Sequence, residues 1–376
     1  MIEVARPDVG SAARASRRVV ALDAFRGLTI AGMILVNNPG SWNDAYGPLT
    51  HAEWNGWTVA DLIFPFFLFI VGVAIPVSLA DRSSRGAGHV SLRILRRTLL
   101  LFGLGIVLNA LTDFDGLATL RIPGVLQRIA LCYLAASVVS LVAGPRSQSA
   151  ILVGLLAGYW ALLEFVPVPG AGAGRLDPEH NLAAYLDRRI FGEGHLYHQT
   201  WDPEGLLSTM PAIATTLFGV LAGRWLFGKR PPWQTTLGLT VAGALAVAVG
   251  ELMSLWVPIN KNLWTSSYAI FAAGMASMLF GFCYWLVDVK QVRRPVRPLV
   301  VFGVNSIAVY VLSMAVGEVL ERITLRGENL RVRICETLFT WWAPPEAASL
   351  LFAVSYVLVW LGVMEVLYRR KIFIKI

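Results

Sequence analysis

Several residues with chemical capability stand where an apolar chain would not need them. The stretch THAEWNGWTVADLIFPFF places His51, Trp54, Asn55 and Trp57 just ahead of a long apolar run, and Asp61 one turn inside it. A tryptophan or a histidine at such an edge is often only an interface anchor or a solvated side chain. Asp61 is different, because an acid inside an apolar span needs a partner or a cavity. Asp23 and Arg26 in LDAFRG share a helix face at i, i+3, which permits a local ion pair; alternatively Arg26 meets an anionic ligand. RIPGVLQRIA carries Arg121, Gln127 and Arg128, and Arg128 is expected to face the interior and pair with Asp61 or Asp23. YHQTWDPEGLLST holds His198, Asp202 and Glu204, and Asp202-Pro203 reads as a helix N-cap followed by proline at the first helical position. PINKNLWTSSY adds Lys261, Asn262, Trp264 and Ser266, while Asn305 and Ser306 interrupt a late apolar run. No HExxH, GxSxG, P-loop or GxGxxG is placed to matter. The inventory alone fits a transporter and a membrane enzyme equally.

The elements that must position these residues are membrane helices. Of 376 residues, 56% are hydrophobic and only 15% charged, with a mean hydropathy of +0.61. Soluble domains average about 25% charged residues. A span uses about 20 apolar residues. Runs at about 19–38, 58–79, 93–112, 122–144, 149–167, 206–226, 234–257, 264–287, 298–320 and 347–368 predict an all-α bundle of about ten transmembrane helices. The basic run ending at Arg17-Arg18 leads directly into the first span with no small-residue cleavage site, so residues 1–18 read as a tail and 19–376 as one membrane domain. Cys132, Cys283 and Cys335 lack CxxC spacing and read as small core residues, with no metal site.

The net charge of +8 reads as topology. With the first segment cytoplasmic, most of the 32 Lys and Arg fall on inner segments, among them Arg82, Arg85, Arg93, Arg96, Arg97, Arg224, Arg293 and Arg369. The loop from Asn37 to Trp57 has none and falls outside. Both ends of the chain are therefore expected in the cytoplasm, with long outside loops at about 167–205 and 321–346. No basic stripe on a soluble domain points to nucleic acid. Lipid is the expected surrounding.

Taken in order, LDAFRGLTIAGMILVNNPG, HAEWNGWTVADLIFPFFLFIVG, RIPGVLQRI, DPEGLLST, NKNLWTSSY, GVNSIAVY and RRKIFIKI resemble the heparan-α-glucosaminide N-acetyltransferase family of transmembrane acetyltransferases. The resemblance runs from residue 20 to the end of the sequence. It is to the bacterial-type members, without the lumenal N-terminal region and extra helix of the lysosomal enzyme, and so implies a bacterial inner membrane and ten helices against eleven. It implies transfer of an acetyl group from cytoplasmic acetyl-CoA to a glucosamine-type amine across the membrane, and a tendency to dimerise. The family's active-site histidine falls on His51. Its active-site asparagine falls on Asn37, with Asn38 the alternative.

On that reading Asp61 orients His51, and Asn37 stabilises the developing oxyanion. Arg26, Arg96, Arg97 and Arg128 are candidates for acetyl-CoA, with Arg82, Arg85 and Arg93 near the nucleotide end. Trp54, Asn55, Arg121, Asp202, Glu204, Lys261, Asn262 and Trp264 are candidates for the sugar. His51 serves either as base or as carrier of an acetyl group. The rival readings are an amino-sugar permease and an O-acetyltransferase of envelope glycans. A non-catalytic scaffold is disfavoured, since idle charges at membrane depth cost about 2.5–3.5 kcal/mol each.

Overall fold

Long apolar runs without competing turn residues can satisfy their backbone in lipid only as helices, and the chain is built from them. The computed structural model describes residues 19–79, 87–112, 116–325 and 327–374. The expected tail at 1–18, together with Arg82 and Arg85, lies outside the described residues. The helices are α1 (Val20–Asn37), α2 (Val59–Leu79), α3 (Ala87–Thr112), α4 (Val125–Val142), α5 (Pro145–Phe165), α6 (Leu182–Phe191), α7 (Thr209–Leu226), α8 (Pro232–Met253), α9 (Ser266–Tyr284), α10 (Arg297–Val304), α11 (Ser306–Arg322), α12 (Leu330–Cys335) and α13 (Pro345–Arg369). A two-residue hairpin, β1 (Thr324–Leu325) with β2 (Glu328–Asn329), precedes α12.

Eight helices among the described residues are long and apolar enough to cross a membrane. Leu237, Val241, Leu245 and Val249 of α8 recur every four residues and are all exposed, a face suited to lipid and not to water. The protein is an integral membrane helix bundle. Two of the ten expected spans differ in kind. The run at 298–320 is broken into α10 and α11, which meet at 84°. The break falls at Asn305, whose side chain leaves the helix pattern to grip a later segment: its Nδ2 donates to Ile372 O at 3.1 Å and its Oδ1 accepts from Ile374 N at 2.9 Å. α7, 18 residues long, is not among the eight; Thr209, Thr215, Thr216 and Arg224 make it less apolar. It can carry them because its neighbours bury it, with Ala212, Ala214, Thr215, Thr216, Leu217 and Val220 fully enclosed.

Close helix approach at the centre depends on glycine. A Cβ on Gly72 of α2 would stand 2.0 Å from Thr216 O of α7, and one on Gly219 would stand 2.0 Å from Phe69 O. Small residues let membrane helices pack backbone to backbone, and here they hold the middle of α2, the helix that carries Asp61, against the middle of α7. The first helix is capped by a distant acid: Asp288 accepts from Val20 N at 3.3 Å and Ala21 N at 2.8 Å. An anion there matches the unpaired N–H groups of a helix start. The three cysteines are free, with Cys132 and Cys335 buried.

Candidate active site

Asp61 is the organising group at one end of the bundle. It sits at the third position of α2, where a carboxylate can reach back to the helix entrance. Its Oδ2 accepts from Thr58 N and Ala52 N, both at 3.0 Å, and so folds the loop over the helix start. Thr58 Oγ1 donates to Thr50 O at 2.6 Å and closes the same loop. Its Oδ1 is left for His51, whose Nδ1 lies 2.8 Å away. The carboxylate is 1% exposed and the imidazole 46%. A buried acid thus holds an open ring through Nδ1. From below, the Tyr268 hydroxyl donates to Asp61 O at 2.6 Å.

The segment before α9 brings the next group. Gly56 N donates to Ile259 O at 2.8 Å, and Asn260 Nδ2 donates to Asn55 Oδ1 at 3.2 Å, which ties this segment to the His51 loop. Asn55 therefore works as a splice between loops. Asn260 Oδ1 accepts from Leu263 N, and Tyr159 donates to Leu263 O. Trp264, at φ +51°, occupies the left-handed region that bulky residues rarely adopt. These constraints aim Lys261 at the site: its Nζ is 3.4 Å from Asp61 Oδ1 and 2.9 and 3.1 Å from the two ring nitrogens of His51. Burial pushes the Lys261 ammonium down, while the carboxylates of Asp61 and Glu204 pull the other way. Asn262 is half-buried beside it. Trp264 is 1% exposed and donates to Thr215 Oγ1 at 3.1 Å, so it is wall and not rim.

A second charged group stands close enough for Glu204 to act on Lys261 through its charge. Arg121 donates to Asp202 through Nε at 2.9 Å and Nη2 at 2.7 Å, and through Nη2 to Glu204 at 2.6 Å. Burial opposes this charge, but Asp202 and Glu204 outweigh it and hold the guanidinium above its usual pKa. Asn109 fixes the arginine's backbone by donating to Arg121 O and Pro123 O. The expected N-cap at Asp202 is not formed, because the helix begins only at Thr209. Asp202 instead closes a turn, accepting from Tyr197 N and Glu204 N at 2.9 Å each.

Arg128 pairs with neither Asp61 nor Asp23. It is 1% exposed, donates to Gly205 O at 3.0 Å and to Ser208 Oγ, and lies 5.1 Å over the Trp264 ring. It braces the turn behind Asp202 and Glu204. Asp187 of α6 supports that turn from outside, accepting from Leu206 N at 2.9 Å. Burial pushes the Asp187 carboxyl up to about 7, with Asp202 adding to the rise and the Leu206 N–H and Arg128 opposing it. Neither Asp187 nor Trp201, which packs on Trp54 with ring centres 5.0 Å apart, stood out in the sequence. Asp187 lies inside the stretch 167–205, which reads as a long outside loop, beside the basic pair Arg188-Arg189.

Asn37 and Asn38 end α1. Asn38 is 2% exposed and donates to Ile34 O at 2.9 Å, so its amide is spent on its own helix. Asn37 makes a 3.9 Å contact with Met314 Sδ. Of the two, Asn37 has the amide with only a weak partner. No hydrogen bond joins either to His51 among the described residues.

The opposite end holds a cavity of 590 Å³ lined by Asp23, Arg26, Phe67, Ser78, Arg97 and Tyr133, among others. A second cavity of 350 Å³ adjoins it through Ser78, Arg97 and Tyr133 and adds Arg93 and Arg96. Arg26 stands 3.6 Å from Asp23. Arg97 lies 4.6 Å over the Tyr133 ring, and its Nε, like Nη2 of Arg93, is buried with no hydrogen-bond partner. Buried guanidinium groups with open donors favour anions such as phosphate. The structure therefore gathers Arg26, Arg96 and Arg97 here and leaves Arg128 at the His51 end. Phe67 is six residues from Asp61 on α2, about 9 Å along the helix, so one wall of the cavity lies less than two turns below Asp61.

The family model for heparan-alpha-glucosaminide N-acetyltransferase, catalytic, matches residues 18–256. The human heparan-alpha-glucosaminide N-acetyltransferase is 32% identical over 353 residues, covering 78% of this chain and 52% of the human protein. The mouse protein of the same name is 29% identical over 423 residues, covering 96% of this chain and 61% of its own. The chain thus spans a little over half the length of these curated relatives.

Proposed function

Because this chain belongs to the heparan-alpha-glucosaminide N-acetyltransferase family, we propose that it is a transmembrane N-acetyltransferase, moving acetyl from cytoplasmic acetyl-CoA to the amine of a glucosamine-type sugar on the other side of the membrane. The arginine-lined end is placed in the cytoplasm by the positive-inside rule, and the His51 end faces the periplasm of an inner membrane. The observation that carries the reading is the 2.8 Å contact between exposed His51 and buried Asp61 at the far end of the bundle from the arginine cavity.

Arg26, Arg96 and Arg97 would hold the phosphates of the donor, and Arg97 Nε and Arg93 Nη2 have the open donors such a ligand needs. When bound, acetyl-CoA supplies an acyl group activated as a thioester. Asp61 keeps His51 Nδ1 protonated and turned so that Nε2 is the free base. His51 takes the proton that the sugar amine loses as its nitrogen bonds to the acyl carbon. It returns that proton to the sulfur as the carbon–sulfur bond breaks. Asn37 donates to the oxygen that gains charge, a contribution of about 3 kcal/mol in comparable sites. Glu204, held by Arg121, is a second acid able to receive a sugar hydroxyl or its ammonium form.

The test is thiol release from acetyl-CoA by purified protein with an amino-sugar panel, comparing wild type with His51→Ala. Release with an N-acetylated product in wild type, and none in a folded His51→Ala protein, is the expected result. Near-normal transfer by that variant sinks the assignment. An ester product would favour the O-acetyltransferase, and sugar uptake without thiol release the permease. Acetyl-His51 trapped without acceptor would put the ring in the role of carrier.

A further inference from the structure

A row of aromatic rings runs outward from the His51 loop. Trp54 is three residues from His51, a reach of about 10 Å at most. Its ring meets Trp201 edge to face, with centres 5.0 Å apart. Trp201 stacks on His198 at 4.3 Å, and His198 meets Tyr197 at 4.5 Å. Arg121 closes the row, 4.6 Å over the Tyr197 ring, while its donors go to Asp202 and Glu204. The row therefore begins beside the proposed base and ends on the acidic turn that Arg121 holds.

These rings are not part of a core. None of the four belongs to the hydrophobic clusters of the described residues. Tyr197 is 54% exposed, His198 is exposed, and Trp54 and Trp201 are half-buried. Trp54 has its indole N–H satisfied by Leu176 O at 2.8 Å, which fixes the ring while leaving it half open. The loop that presents the others is held under strain. Gln199 sits at φ +58°, a conformation that non-glycine residues adopt mainly where the surroundings enforce it. The enforcing contacts are His198 N to Trp201 O at 3.1 Å and Arg188 of α6, which donates to Thr200 O and Glu179 O. A chain that only needed interface anchors would not have to hold a polar loop in this way.

The charges beside the row set what it can accept. Arg121 is matched by Asp202 and Glu204, Lys261 by Asp61, and Arg175 by Asp177 at 3.0 Å. Arg188 is committed to two carbonyls. Among the described residues, the cations in contact with this row or with the His51 loop already have partners, which disfavours a sulfate or carboxylate on the ligand. Flat rings in a polar setting suit the apolar C–H face of a pyranose, gaining dispersion contact without charge.

We propose that Trp201, with Trp54 and His198, forms a platform for a second, uncharged sugar ring, so that the acceptor is an unsulfated glycan of at least two rings ending in an amino sugar. This rests on the acetyltransferase reading and specifies its acceptor.

The experiment measures binding of glucosamine, a β-1,4-linked glucosamine disaccharide and its 6-O-sulfated form by tryptophan fluorescence, with transfer assayed in parallel. Wild type is expected to bind the unsulfated disaccharide about tenfold more tightly than glucosamine, and the sulfated form no more tightly than the unsulfated. Trp201→Ala is expected to bring the disaccharide-to-monosaccharide ratio close to one, and Trp201→Phe to keep most of it. Thermal stabilisation of each variant by acetyl-CoA reports that it is folded. Transfer to glucosamine with no disaccharide advantage in wild type overturns the platform alone. A ratio unchanged in Trp201→Ala leaves the rings as interface anchors, and tighter binding of the sulfated form reverses the charge argument. No thiol release with any amine overturns the acetyltransferase reading and the platform with it.

Discussion

Nζ of Lys261 lies 3.1 Å from Nε2 of His51, a residue 210 positions away in the chain. A primary amine already rests against the proposed base, in the place an acceptor amine has to take. Lys261→Met keeps most of the stem and removes that amine. The acceptor KM is then expected to fall about two- to tenfold, the worth of one displaced hydrogen bond, with kcat lowered by the loss of a cation beside Asp61. Steady-state kinetics decide it: a rise in acceptor KM would instead make Lys261 a group that holds the sugar.

Asp61→Asn should leave the helix entrance closed, since an amide oxygen still accepts from Thr58 N, now 3.0 Å from Oδ2. It removes the charge that fixes the His51 tautomer. We expect kcat to drop about 10²- to 10⁴-fold with little change in either KM. A near-normal kcat would show that the pair is structural.

Arg97→Ala removes a guanidinium that lines both arginine cavities. The KM for acetyl-CoA should rise about tenfold or more, the worth of a charge-assisted hydrogen bond, and that for the sugar should not move. Added salt should narrow the gap between variant and wild type. An effect confined to the sugar KM would separate the cavity from the donor.

Asp187 makes stability depend on pH in a direction opposite to that of most carboxylates. Its pKa in the fold is about 7, against an ordinary value of 3.8. Between those values the folded chain holds a proton that the unfolded chain has released, so stability falls as pH rises and levels off above about 7. The loss across the window is on the order of a few kcal/mol. Asp187→Asn should therefore gain on wild type in thermal midpoint from pH 4 to 7. A constant difference across that range would count against it.

The bundle was legible because apolar runs of span length have one solution in lipid, and the acids and arginines that break those runs stood out for the same reason. Asp61 could be picked out by its setting alone. Its partner Lys261 could not be assigned, since the two meet only after α9 packs against α2. The break at Asn305 was hidden, because its cause is a segment almost seventy residues later. Asp202-Pro203 was misread for a related reason: local sequence favours a helix start, but Arg121, Tyr197 N and Glu204 N compete for the same carboxylate. Trp201 gave no signal, because aromatic residues near membrane edges are common and only their mutual stacking sets these apart.

Asn305 grips residues 372–374, and Phe373 and Ile374 help to wall the arginine cavity. Asp23 and Arg26 of α1 line the same cavity. The cavity is therefore finished only when the segment beyond α13 docks. The stretch 18–256 that matches the family model stops short of these lining residues. A chain cut at residue 256 would lack Lys261 and one side of that cavity, leaving the guanidinium groups open to lipid or water.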